Sequence, residues 1–140
     1  MIRIRDIDHL VLRTERLEEM IAFYTDVLGM SVERRVEDIG LIQLRAGRSL
    51  LDLVVVDSEL GRKGGAAPAE HGRNLDHFCV RVDPFDEAAI RERLSSLRVE
   101  AGPTEQRYGA EGTGPSIYIR DPDGNTVELK GPADLPSRRP

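Results

Sequence analysis

A chain of 140 residues reads as one domain, long enough to bury roughly 68% of its unfolded surface. A net charge of −5 and a 4% aromatic content with no Trp argue against nucleic acid, which rewards clustered Lys and Arg and stacking rings. One cysteine excludes an internal disulfide and suits a reducing cytoplasm; no apolar run approaches the ~20 residues that span a bilayer, and the N-terminus lacks the apolar core of a signal peptide.

Residues 8–13 read as a strand, with His9, Val11 and Arg13 on one face and Leu10 and Leu12 on the other. Thr14 is placed to cap a helix carried by Leu17, Met20, Ile21, Tyr24 and Leu28, which ends at Gly29. Residues 31–37 and 39–45 alternate as two strands. Ala46-Gly47-Arg48 is a hairpin loop, and the β-branched run 49–56 is a fourth strand broken by one charge, Asp52. Residues 57–75 hold four glycines and a proline without periodicity and read as a linker.

The plan then repeats. Residues 76–82 are a strand. Asp83 and Pro84 mark the start of a helix with Ala88, Ile90, Leu94 and Leu97 on its inner side, and 99–101 begins a short strand. Residues 102–115 read as a Gly-rich loop carrying Arg107 and Tyr108, either a lid over a cleft or a surface connection. Residues 116–120 and 125–130 are strands around an Asp121-Pro122-Asp123-Gly124 turn, and the Pro-containing tail 132–140 reads as frayed. The expected fold class is α+β: two paired βαβββ modules, about 5–56 and 76–131, forming a curled mixed β-sheet cleft with helices outside.

The repeat is visible in the letters. Asp8-His9-Leu10-Val11-Leu12-Arg13 returns as Asp76-His77-Phe78-Cys79-Val80-Arg81, an offset of 76 − 8 = 68. Leu51-Asp52-Leu53 returns as Val127-Glu128-Leu129, an offset of 127 − 51 = 76. Each half thus supplies one imidazole early and one carboxylate late, together a metal-ligand set of His9, Asp52, His77 and Glu128. Asp52 lies in an apolar run, where an unpaired charge must neutralise, pair or bind a metal. His71, in the linker without an echo, reads as solvated. Cys79 shares the face of His77 but lies ~6.6 Å along the strand and reads as cleft wall or core. The charged helix positions, such as Glu18, Glu19, Arg91 and Glu92, read as a wet face.

Asp8-His9-Leu10-Val11-Leu12, Phe23-Tyr24 through Leu28-Gly29-Met30, and Asp121-Pro122-Asp123-Gly124-Asn125 with Glu128-Leu129 resemble the vicinal oxygen chelate superfamily over residues 5–131. That superfamily includes glyoxalase I, extradiol dioxygenases and fosfomycin-resistance transferases, so the motifs specify fold and metal site better than reaction. The resemblance implies a homodimer and one divalent ion per site (Ni, Zn, Co, Mn or Fe) held by His9, His77 and Glu128. Asp52 stands where glyoxalase I has a fourth, longer ligand. Arg13 matches an arginine that engages the glutathione carboxylate there. Ser116 and Tyr118 fall where fosfomycin-resistance enzymes keep a serine and a tyrosine, although the basic residues around the phosphonate have no counterpart.

The implied activity is glyoxalase-like lyase or isomerase chemistry on a small oxygen-rich substrate, through an enediolate chelated by the metal. Glu128 is the candidate base, with Asp52 the alternative, and Tyr118 is the candidate proton or hydrogen-bond donor. Arg13, Arg107, Ser116 and Tyr118 are the candidate substrate contacts. The rival readings are an iron(II) dioxygenase, a fosfomycin-type transferase and a metal-free drug-sequestering dimer.

Overall fold

The structure, a computed structural model, describes residues 1–136. It divides into two compact units, Met1–Gly72 and Arg73 onward, so the boundary falls inside the expected linker. Among the described residues no helix is long and apolar enough to cross a membrane.

The first unit runs β1 (His9–Thr14), α1 (Leu17–Ala22), β2 (Ser31–Val36), β3 (Leu41–Ala46) and β4 (Ser49–Val55), in sheet order β1-β4-β3-β2. β1 and β4 are parallel and the other pairs antiparallel. One face of the sheet is apolar: Leu12, Ile42, Leu44, Leu51 and Leu53 are buried, and α1 contributes Met20 and Ile21 to the core. The helix widens to a π turn over Phe23–Val27, where the Phe23 and Tyr24 rings meet edge to face at 5.1 Å. It stops where the sequence places the stop. Gly29 has φ 70°, and the Met30 N–H reaches back to the Tyr24 carbonyl at 3.0 Å, a turn that Gly adopts without steric cost.

Thr14 does not cap this helix. The N-cap is Arg16, without a side-chain cap, and the fully buried Thr14 hydroxyl instead accepts the Arg16 N–H at 2.8 Å. The threonine thus shapes the turn that precedes the helix.

The second unit runs β5 (His77–Arg81), α2 (Glu87–Ser96), β6 (Glu105–Gly109), β7 (Gly112–Arg120), β8 (Thr126–Lys130) and β9 (Leu135–Pro136), with main order β5-β8-β7-β6 and β9 on β7. Ile117, Ile119, Val127, Leu129 and Leu94 form its buried core. Two βαβββ units in an α+β fold are therefore present, as expected, but four boundaries move. The cap of α2 is Asp86, which accepts the Ala89 N–H at 3.1 Å, rather than Asp83; Ala88 is exposed. Residues 99–101 are not a strand.

Most of the expected loop 102–115 is an antiparallel hairpin, β6 with the start of β7. Its glycines mark close approach. A Cβ on Gly109 would sit 2.7 Å from the Lys130 Cε, and one on Gly114 would sit 2.5 Å from the Pro132 carbonyl oxygen. The tail also stays ordered further than expected: Asp134 N–H bonds the Thr113 carbonyl at 2.7 Å and Leu135 pairs with Thr113. Residues 137–140 of the expected frayed tail lie outside the described residues.

α2 ends in a double turn closed by Val99 N–H on the Leu94 carbonyl and Arg98 N–H on the Ser95 carbonyl. The residue in its left-handed position is Arg98, φ 58°, where glycine is usual. Its side chain costs about 1–2 kcal/mol there, against about 0.5–1 kcal/mol of extra unfolded-state freedom for glycine. Arg98→Gly is therefore expected to raise the thermal midpoint by a few degrees; an unchanged or lower midpoint in a melt refutes this reading of the turn.

Candidate metal and substrate site

The register carries the repeat into three dimensions. In the first unit Val11, two residues after His9, pairs with Asp52 of β4. In the second, Cys79, two residues after His77, pairs with Glu128 of β8. Residues level with each other in a sheet point to the same side, so each unit puts its histidine and its carboxylate on one face. That face lies opposite the apolar one.

The histidines are oriented alike. His9 Nδ1 meets the Asp8 carboxylate at 2.7 Å, and His77 Nδ1 meets Asp76 at 2.6 Å. A carboxylate on Nδ1 fixes the ring and leaves Nε2 as the lone-pair nitrogen of the neutral imidazole, the arrangement common to metal-binding histidines. Asp8 raises the His9 pKa through that hydrogen bond, and the charge of Asp52 raises it further. Asp8 and Asp76 are functional candidates that the ligand pattern overlooks. The signal was present, since each acid precedes its histidine in the duplicated segment.

In the second unit the ring nitrogen and the acid converge. His77 Nε2 lies 3.3 Å from Glu128 Oε1. Glu128 is 6% exposed, and its other oxygen accepts the Ser116 hydroxyl at 2.7 Å in a buried contact. Burial pushes the Glu128 carboxyl up, but hydrogen bonds from Ser116, Tyr118 and Cys79 and the charge of His77 together hold it below the usual carboxylate value. It is an ionised carboxylate at neutral pH.

Tyr118 pairs with Glu128 across β7 and β8, and its ring meets that of His77 edge to face at 5.8 Å. Burial, then the Glu128 carboxylate, raise the pKa of its hydroxyl, with Arg107 opposing, so it remains a donor. Cys79 is exposed on the same face rather than a core residue, and its thiol is pushed up to about 12 by burial of the sulfur and by Glu128. Lys130, two residues beyond Glu128 and 8% exposed, donates to the Arg107 and Gly114 carbonyls and ties the β6–β7 hairpin to β8.

In the first unit Asp52 is 4% exposed, and both its oxygens accept the Gln43 side-chain amide at 3.2 and 3.1 Å. Gln43 stands on β3 where Tyr118 stands on β7, since each pairs with its unit's carboxylate residue. Sequence reading missed it because nothing in the letters of β3 marks a polar partner for Asp52.

Arg13 has another occupation. Its guanidinium makes five hydrogen bonds, to the carbonyls of Gly61 (twice), Gly64, Gly65 and Ala66 at 2.6–3.1 Å. A guanidinium has five N–H donors. The expected role of Arg13 as a substrate anchor therefore meets a side chain already holding residues 61–66 to β1, and that stretch of the expected linker is a fixed part of the first unit. His71 is exposed, as expected.

Neither unit gathers three His, Cys, Asp or Glu side chains by itself among the described residues. Each supplies two, an oriented imidazole and a buried carboxylate. The donor set fits a divalent ion of the Zn, Ni, Co, Mn or Fe class, which takes imidazole nitrogen and carboxylate oxygen together.

A βαβββ unit repeated with an imidazole–carboxylate pair on one sheet face is a scaffold built by duplication. Comparison with known proteins agrees. The family model for the Glyoxalase/Bleomycin resistance protein/Dioxygenase superfamily matches residues 6–129, and this chain belongs to that superfamily. It is 33% identical over 135 residues to the glyoxalase domain-containing protein RDO1 of Mycosarcoma maydis, covering 94% of this chain and 70% of that one. It is 32% identical over 127 residues to the lactoylglutathione lyase of Salmonella typhimurium, covering 86% and 88%. The crystal structure of virulence protein STM3117 from Salmonella typhimurium superposes with a TM-score of 0.75 at 26% identity, covering 94% of this chain and all 100% of that one.

Proposed function

We propose that this chain is a divalent-metal-dependent enzyme of glyoxalase type, a lyase or isomerase acting on a small substrate with two neighbouring oxygens. The observation that carries the reading is the Asp76–His77–Glu128 line: Nδ1 held by one acid, Nε2 facing another at 3.3 Å. Its echo in Asp8, His9 and Asp52 supports it. His9, His77 and Glu128 would hold the ion, with Asp52 as fourth donor. Two donors per unit fall short of the four or more such ions take, so both units contribute, from one chain or from the two chains of a homodimer in the cytoplasm.

When bound, the ion supplies Lewis acidity at two substrate oxygens. The chain's own residues supply the rest. Glu128 is ionised and accepts a proton from the carbon beside a carbonyl, a step that typically contributes 10²–10⁴-fold. Ser116 fixes the carboxylate for that transfer. Tyr118 donates a hydrogen bond to the substrate. Arg107, beside the Tyr118 hydroxyl, anchors an anionic substituent. Arg13 is committed to residues 61–66 and Arg107 carries the Glu105 carboxylate, so Arg107 would anchor substrate by exchanging that partner.

One observation favours a second reading. Gln43 occupies both Asp52 oxygens, leaving two histidines and one carboxylate, the ligand set of non-haem iron oxygenases. Metal analysis of purified protein with an oxygen electrode separates the two. Nickel, zinc, cobalt or manganese without oxygen uptake supports the lyase; iron with oxygen uptake supports the dioxygenase. Protein that holds no metal, and gains no thermal stability from any of these ions, is a metal-free binding protein and ends both readings.

A further inference from the structure

One row of the second sheet holds two polar groups that the chemistry above leaves unused. The register sets His77 of β5 level with Thr126 of β8, and Thr126 level with Arg120 of β7. Level residues point to one side of a sheet, so Thr126 and Arg120 lie on the face that carries His77, Glu128 and Tyr118. Arg120 follows Tyr118 by two residues, about 6.6 Å along β7, and stands two strand spacings, about 9.6 Å, from His77. A long arginine side chain and a small ligand span that gap together.

The other cations at this face of the second unit are committed. Arg81 meets Glu111 at 2.6 Å, and Arg107 meets Glu105. Lys130 is buried, with its ammonium on the Arg107 and Gly114 carbonyls. Arg73, by the β7–β8 turn, donates to the Asp123 carbonyl at 2.7 Å and to Asn125 Oδ1 at 3.1 Å. The acids at this end are engaged as well. Asp121, next to Arg120, accepts the Asp123 and Asn125 N–H groups and the Asn125 amide, and Asp76 holds His77 Nδ1.

Arg120 is exposed and Thr126 half-buried. Among the described residues neither the guanidinium nor the hydroxyl has a hydrogen-bond or ion-pair partner. A guanidinium offers five N–H donors in a fixed fork, and a hydroxyl offers one more. Side by side they suit a carboxylate or phosphate, which accepts arginine through two oxygens and a hydroxyl besides. Arg107 must release Glu105 before it can hold an anion, whereas Arg120 has no partner to release.

We propose that Arg120, with the Thr126 hydroxyl, binds an anionic group of the substrate, a carboxylate or phosphate set apart from its two neighbouring oxygens. This role rests on the metal-enzyme reading and narrows its substrate to a small molecule charged at one end. Arg120 selects the substrate and takes no part in proton transfer.

Three 2-hydroxy acids are the probes, and titration calorimetry is the readout. The protein is first loaded with whichever divalent ion most raises its thermal midpoint. Lactate presents two neighbouring oxygens alone, malate adds a carboxylate, and 3-phosphoglycerate adds a phosphate. Malate or 3-phosphoglycerate is expected to bind about tenfold tighter than lactate, and the one that gains identifies the group. Arg120→Gln is expected to remove the gain while lactate binding and circular dichroism stay unchanged. Arg120→Lys retains part of the gain, and Thr126→Val lowers it about threefold. Arg98→Gln, which removes the same charge from the exposed end of α2, retains it in full.

A parent chain that no divalent ion stabilises overturns the metal reading and this role with it. A metal-loaded parent that binds the three probes alike, or binds none, overturns the Arg120 role alone. So does a gain that survives Arg120→Gln, or one that falls equally in Arg98→Gln.

Discussion

On the proposed reading, His77→Ala is expected to abolish the stabilisation that an added divalent ion gives the folded chain. An ion that binds only the folded state stabilises by RT ln(1 + [L]/Kd), about 2.7 kcal/mol at a hundredfold excess over Kd. His77 would supply a donor nitrogen that the groups beside it, the Glu128 carboxylate and the Tyr118 ring, do not replace. The measurement is a thermal melt with and without ion, and a parallel loss of activity is expected. His71→Ala is the control. It is exposed and has no echo in the first unit, so its ion response is expected to match the parent. Equal effects from the two variants refute the ligand assignment.

Asp52→Ala sorts the two functional readings. A loss as large as that of His77→Ala means a four-donor, glyoxalase-like site. A small loss means that Gln43 keeps Asp52 out of the coordination and the site has three donors.

The second large effect lies away from the chemistry. Arg13→Ala is expected to destabilise the folded chain by roughly 3 kcal/mol or more. Hydrogen bonds to a charged group contribute about 1.5–3 kcal/mol each, and the loss leaves four carbonyls to find new partners. Denaturant melts measure it. A cycle identifies the cause. A Cβ on Gly64 would sit 2.3 Å from the Arg13 guanidinium carbon, so Gly64→Ala displaces the same clasp. The Gly64→Ala penalty should therefore shrink in the Arg13→Ala background. Additive penalties would mean that the arginine and the glycine act separately. If Arg13→Ala melts like the parent and instead weakens substrate binding, the guanidinium belongs to the substrate after all.

Much of this protein is legible in its letters. The strand periods of 8–13 and 49–56 and the glycine after Leu28 need only local geometry, and local geometry is what sequence encodes most directly. The duplicated Asp-His and Asp/Glu positions follow from the repeat itself, because a duplicated fold carries duplicated register: Val11 with Asp52, Cys79 with Glu128.

What the letters left to the tertiary structure concerns partners distant in the chain. Gly109 and Gly114 look like loop glycines until Lys130 and the backbone at Pro132 come to lie against them. Gln43 looks ordinary until β3 sets it beside Asp52. Arg13 reads as a free cation until residues 61–66 fold back across β1 and take every N–H it has. A sequence states which groups exist; the folded chain decides which of them are already occupied, because hydrogen-bond capacity is finite and is filled by whatever the topology brings near.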